Sequence, residues 1–211
     1  MKSIKFAAVA LALAAIGSSN AAVITFQTGS SGAGPLATAD DYRSVVDAAV
    51  VGGHTTLLNS YDNVSNNGIF GAGSTDIAFK STINFGLNAA GTYSFRAGVD
   101  FGRGGAVFLD GSAVAVNSND MWWEYNYDKV NGSFLINNQA LSAGNHTLTI
   151  YGLEGCCDGG QQVQYAAAGN AFQSFSADTL APAVPEPETY AMLLGGLALI
   201  GGYARRRNNK A

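Results

Sequence analysis

The chain has 211 residues, 47% of them hydrophobic and 12% charged, with 27 glycines, two cysteines and two histidines. This length buries a core without covalent staples, and so apolar a composition excludes a disordered chain. Two cysteines exclude a disulfide-framework fold, and a net charge of −4 without basic runs in the body excludes a nucleic-acid-binding protein.

In chain order, residues 1–22 read as a secretory signal peptide. Lys2 and Lys5 precede an apolar run from Phe6 to Ile16, and small residues up to Ala22 place cleavage after Ala21 or Ala22. From residue 23 to 180 the apolar period is two. Tyr93, Phe95, Ala97 and Val99 alternate with Thr92, Ser94, Arg96 and Gly98, and Leu148 and Ile150 alternate with three polar or aromatic neighbours. Asn66-Asn67-Gly68, Ala90-Gly91, Asp110-Gly111, Asn131-Gly132 and Ala143-Gly144 read as turns between these runs. The pattern predicts an all-β, antiparallel, jelly-roll-like β-sandwich. Its strands are expected at 23–27, 54–58, 76–85, 92–100, 105–109, 112–116, 121–127, 132–136, 145–151, 161–166 and 171–176. One short helix is expected over Asp40–Val50, with Asp40 as its cap.

Residues 181–188 form a Pro-rich linker, residues 189–204 an apolar helix, and residues 205–211 a basic tail. Sixteen helical residues span only about 24 Å, a short membrane span helped by snorkelling arginines. The cluster Arg205, Arg206 and Arg207 sets the tail on the cytoplasmic side and everything before Pro185 on the far side of the membrane. Between the two signals, five basic and 13 acidic residues leave the exported body a net charge of −8.

Val184-Pro185-Glu186-Pro187, the Gly-rich apolar helix and the arginine cluster resemble the PEP-CTERM sorting sequence. The resemblance implies Pro185, Glu186 and Pro187 as the sorting signal, an exosortase as processing partner, and delivery to the cell surface or extracellular matrix. Gly91-Thr92-Tyr93-Ser94-Phe95, Val107 to Gly111 and Leu141 to Ile150 resemble, in their order, protective-antigen-type β-sandwich modules of adhesins and glycosidases. Asp100 to Gly105, Trp122-Trp123 and Gly152 to Gly159 together look like the CCxG group of PEP-CTERM proteins.

Cys156 and Cys157 are adjacent in an oxidising compartment. They have four possible fates: a bond to each other, a bond between molecules, metal ligation, or free thiols. The vicinal bond is favoured, because Gly155, Gly159 and Gly160 give the backbone freedom to close the ring. Asp100, Asp110, Asp120, Glu154 and Asp158 fall at strand ends or in loops. Of these, Asp100, Glu154 and Asp158 form a candidate calcium site, while Asp110 reads as a turn residue. Trp122 and Trp123, followed by Tyr125 and Tyr127, form the densest aromatic cluster. Strand alternation sends one tryptophan inward and leaves the other to stack on a sugar ring. Arg103 is a candidate for pairing with Glu154 or contacting an acidic sugar. No catalytic motif is present, and His54 and His146 carry no nucleophile pattern.

The expected function is therefore non-catalytic binding of extracellular polysaccharide at Trp122, Trp123, Arg103, Glu154 and Asp158. The alternative is a structural, self-associating matrix or biofilm protein that works through edge strands or intermolecular cysteines.

Overall fold

A computed structural model of the chain describes residues 22–129 and 131–178. The expected signal peptide, the Pro-Glu-Pro segment, the expected apolar helix and the arginine tail lie outside the described residues. Among those described, no helix is long and apolar enough to cross a membrane.

The elements in order are β1 (Val23–Ser30), α1 (Ala39–Val50), β2 (His54–Leu58), α2 (Asn66–Phe70), β3 (Thr75–Leu87), β4 (Gly91–Gly98) and β5 (Asp100–Phe101). They continue with β6 (Gly105–Leu109), β7 (Ser112–Asn117), β8 (Met121–Trp122), β9 (Ser133–Leu141), β10 (Gly144–Cys156), β11 (Gln162–Ala167) and β12 (Gln173–Ser174). Two antiparallel sheets face each other, one ordered β2-β1-β3-β10-β6-β7 and the other β12-β11-β4-β9, and β5 pairs with β8 in a small ribbon.

The core follows from the alternation. Ile24 and Phe26 of β1, Phe79, Ile83 and Phe85 of β3, and Leu148 and Ile150 of β10 point inward from the larger sheet. They meet Phe95 and Ala97 of β4, Phe134 and Ile136 of β9, and Val163 and Tyr165 of β11. The second face of the larger sheet is covered by α1, whose Tyr42, Val46 and Val50 pack on Ala78, Ala106, Phe108, Tyr151 and Leu153. The central strand β10 is thus buried on both faces, which is why its apolar character outlasts a simple alternation.

Several boundaries differ from the periodicity reading, each for a local reason. The expected strand over 121–127 stops at Trp122, because Glu124 and Tyr125 have φ of 51° and 56° and turn the chain away. The run over 92–100 divides at Val99, where β5 leaves β4's sheet to pair with β8. Asn66-Asn67-Gly68 opens a short helix, with the Ser65 hydroxyl accepting from the Gly68 amide, instead of closing a hairpin. The cap of α1 is Thr38, whose hydroxyl accepts from the Asp41 amide, and not Asp40. The segment 171–176 contributes only two residues as a strand, while β10 runs on to Cys156. The Asp110-Gly111 turn is as expected, with φ of 50° and 77° as a primed hairpin turn requires.

Helix α1 lies so close to β1 that a Cβ on Gly29 would run into the Ala49 backbone carbonyl. Gly29→Ala is expected to destabilise the protein by roughly 1–3 kcal/mol, because backbone on both sides has to shift. Chemical denaturation of the variant against the parent checks this.

Candidate functional site

At one end of the sandwich, the β5–β8 ribbon, the turn before β6 and the end of β10 enclose an open cleft of about 790 Å³. Asp100, Gly102, Arg103, Asp120, Trp122, Glu154 and the Cys156–Cys157 turn line it. It lies where β10 outruns β6, whose pairing ends at Gly152, while β3 stays beside β10 as far as Cys156. Glu154 continues the inward register of Leu148, Ile150 and Gly152 past the packed core, so a carboxylate arrives where the next apolar residue would fall.

Glu154 is only 2% exposed, and both of its oxygens accept from backbone amides. One takes the Gly102 N–H at 2.6 Å and the other the Cys156 N–H at 2.7 Å. A single side chain therefore ties the turn after β5 to the cysteine turn. Two further bonds run the same way, from the Arg103 amide to the Leu153 carbonyl and from the Leu153 amide to the Gly104 carbonyl.

Cys156 and Cys157 are bonded to each other, and no free cysteine occurs among the described residues. Cys157 takes a φ of 78°, and its amide donates to the Ser74 carbonyl, so the disulfide turn is pinned to the start of β3. The two cysteines form one wall of the cleft.

The two tryptophans divide as strand geometry requires. Trp123 turns inward, is 3% exposed, and donates its indole N–H to the Gly160 carbonyl at 2.7 Å. Its ring lies against Gly98, where any side chain would collide with it. Trp123 is thus a supporting residue beneath the site and not a contact surface, which corrects its expected place among the binding residues. Trp122 is 37% exposed and lines the cleft, with Tyr125 edge-on to it at a centroid distance of 5.7 Å. Gly159 lies under the Trp122 ring and the Asp100 carboxylate, with no room for a Cβ.

Arg103 also differs from expectation. Its guanidinium does not pair with Glu154. It forms an ion pair with Asp76 at 2.7 Å and donates to the carbonyls of Ser31 and Ala33. The side chain anchors the segment after β1 to the cleft rim, and its charge is already matched.

Asp158 faces away from Asp100 in its bonding. Its two oxygens accept from the Asn66 and Asn67 amides at the start of α2. Burial raises its pKa, and these amides oppose the shift. Asp100 is pushed up to about 7, mainly by burial and then by the neighbouring Glu154, with Asp120 and Asp158 adding to the effect; the Gly159 amide opposes it. Asp120, whose loop position alone marked it out in the sequence, joins Asp100 and Glu154 on the lining.

The expected calcium site does not form. Calcium takes six to eight oxygens, whereas Glu154 and Asp158 are both engaged with backbone amides. Among the described residues no group of three or more His, Cys, Asp or Glu side chains is arranged to hold a metal ion. Asp100, Glu154 and Asp158 therefore do not fit a calcium cage. His146 lies elsewhere, with Nδ1 2.7 Å from an Asp110 carboxylate oxygen and Nε2 3.0 Å from the Ser142 carbonyl oxygen, in a structural role.

Two measurements test this arrangement. Trp123→Ala is expected to cost about 3–5 kcal/mol of stability, as for other buried aromatic truncations, in a denaturant titration. Asp100 has a folded pKa above its unfolded value, so the folded state holds the extra proton between about pH 4 and pH 7. Stability from this group is then present at low pH and lost as pH rises towards 7. Asp100→Asn, which keeps an acceptor for the Gly159 amide, should raise Tm at pH 8 and lose that gain at pH 4. A pH series of thermal melts reads the difference.

Among solved structures, the fold is similar to the PA14 sugar-binding domain from an RTX adhesin, with a TM-score of 0.53 and 13% identity over 78% of this chain and 99% of that one. It is also similar to an anti-sigma factor domain-containing protein, with a TM-score of 0.50 and 10% identity over 78% of this chain and 49% of that one. The Epithelial Adhesin 9 A domain from Candida glabrata, in complex with Galβ1-3GlcNAc, gives a TM-score of 0.45 and 9% identity over 78% of this chain and 90% of that one. At these identities the likeness is one of fold. No curated protein sequence matches the chain. Residues 183–208 match the PEP-CTERM protein-sorting motif.

Proposed function

We propose that this protein is an exported, surface-sorted carbohydrate-binding module without catalytic activity, acting on extracellular polysaccharide after an exosortase processes its C-terminal signal. The observation that carries the binding role is the exposed Trp122 indole at the wall of a cleft otherwise lined by polar groups and a disulfide. An indole stacks on the apolar face of a sugar ring, while nearby carboxylates accept from its hydroxyls. The likeness of the fold to the PA14 sugar-binding domain of an RTX adhesin supports the same reading.

The sorting motif supports a route through the inner membrane, with the apolar segment 189–204 as a transient anchor and the cell surface or matrix as destination. The self-association alternative loses one of its two routes, since Cys156 and Cys157 are bonded to each other and not offered to a second molecule.

Trp122→Ala tests the assignment. Its ring is at the surface, so the variant is expected to keep its melting temperature while retention on extracellular polysaccharide falls by about tenfold, a loss of about 1.4 kcal/mol. Affinity electrophoresis through polysaccharide gels, run beside a thermal melt, reads both. Unchanged retention in a folded variant would remove Trp122 from the binding site.

A further inference from the structure

The charges around the cleft narrow the ligand class. Asp100, Asp120 and Glu154 all line it. The cation on the lining, Arg103, is paired to Asp76 and bonded to two backbone carbonyls, so it brings no unmatched positive charge to a ligand. An acidic sugar entering here would meet three acidic groups and no available cation, at an electrostatic cost.

The geometry adds a position to the sign. Asp100 and Trp122 are register partners across the antiparallel β5–β8 ribbon. Directly opposed residues share a face, with Cβ atoms about 4.5–5.5 Å apart. A carboxylate thus stands beside the indole, about one ring substituent away from a sugar stacked on it. Asp120, two residues before Trp122, carries a second carboxylate on the same lining. Glu154 has both oxygens on backbone amides and supplies field more than direct contact.

From this arrangement, and resting on the carbohydrate-binding reading, we infer that the cleft selects glycans bearing a free amine: a hexosamine unit stacked on Trp122 with its ammonium held by Asp100 and Asp120. A bare divalent cation is the wrong occupant, since the acidic groups here do not converge as a metal-ligand set. An ammonium needs no such set. It takes one or two carboxylates and leaves the ring to the aromatic wall. Burial, and after it the like charges of Glu154 and Asp120, raises the Asp100 pKa; a cation bound beside these groups offsets the like-charge part, which favours the amine over its neutral N-acetylated counterpart.

The test is titration calorimetry on the full chain in mild detergent with three oligosaccharides of equal length. These are a β1,4-glucosamine oligomer, its fully N-acetylated form and an oligouronate, each run at neutral pH with and without chelator. The glucosamine oligomer is expected to bind about tenfold tighter than the N-acetylated one, a difference of about 1.4 kcal/mol, with the oligouronate weakest. Asp120→Asn should shrink the glucosamine preference to about threefold or less, and Trp122→Ala should abolish it. Chelator should change nothing.

Equal affinity for the amine and N-acetylated forms, or tighter binding of the oligouronate, each lost in Trp122→Ala, would overturn the amine preference while leaving glycan binding in place. Glucosamine binding that persists in Trp122→Ala would reduce the preference to general attraction by an acidic protein and overturn it. Binding lost on chelation would overturn it in favour of a metal bridge. No Trp122-dependent binding of any of the three would overturn both this inference and the carbohydrate-binding reading.

Discussion

The Glu154 carboxylate is the constraint on which the cleft depends. It sits almost fully buried at the end of the central strand, with one oxygen on the Gly102 amide and the other on the Cys156 amide. A buried carboxylate is tolerated when its acceptors are filled, and here the donors that fill them come from the two loops that make the cleft walls. The turn that presents Arg103 and the turn that carries the disulfide are thereby held at a set distance. Burial, and after it the neighbouring Glu154, raises the Asp100 pKa, so the group that shapes the cleft also adds to its electrostatics.

Around this bridge, small residues let large ones come close. Gly98 admits the Trp123 ring, Gly152 admits Phe101, and Gly159 admits Trp122 and Asp100. Trp123 then fastens the loop at Gly160 through its indole N–H, which steadies the platform from below while Trp122 faces the cleft. The disulfide turn is held by backbone bonds from both cysteines, to Glu154 and to Ser74. The walls of the cleft are thus backbone and rigid side chains, with little conformational freedom to lose when a ligand orders them.

The legible parts of the fold were those with a strong local cause. Period-two alternation in β3, β4 and β10 marked buried strands because one face of each is committed to the core. The Asp110-Gly111 turn was readable because its left-handed backbone demands such residues. The short helix at Asn66 was not, since Asn-Asn-Gly also suits a hairpin, and what favours the helix is the Asp158 carboxylate 92 residues away, accepting from its first amides. The abrupt end of β8 was equally hidden. Nothing in Met121 to Tyr127 announces a turn, and the chain leaves the ribbon so that Trp123 can reach the core.

By itself the sequence determined the architecture, the C-terminal sorting motif and the inventory of the cleft: an aromatic pair, a cysteine pair and carboxylates at strand ends. These are local properties of composition, spacing and short motifs. Which tryptophan faces the cleft, which acid Arg103 answers to, and whether the carboxylates converge as a metal set were decided by the tertiary structure. Each depends on partners distant in the chain: Trp123 on Gly160, Arg103 on Asp76, Asp158 on the start of α2. A side chain's charge is written in the sequence, but whether that charge is available to a ligand depends on which groups the fold has already placed against it.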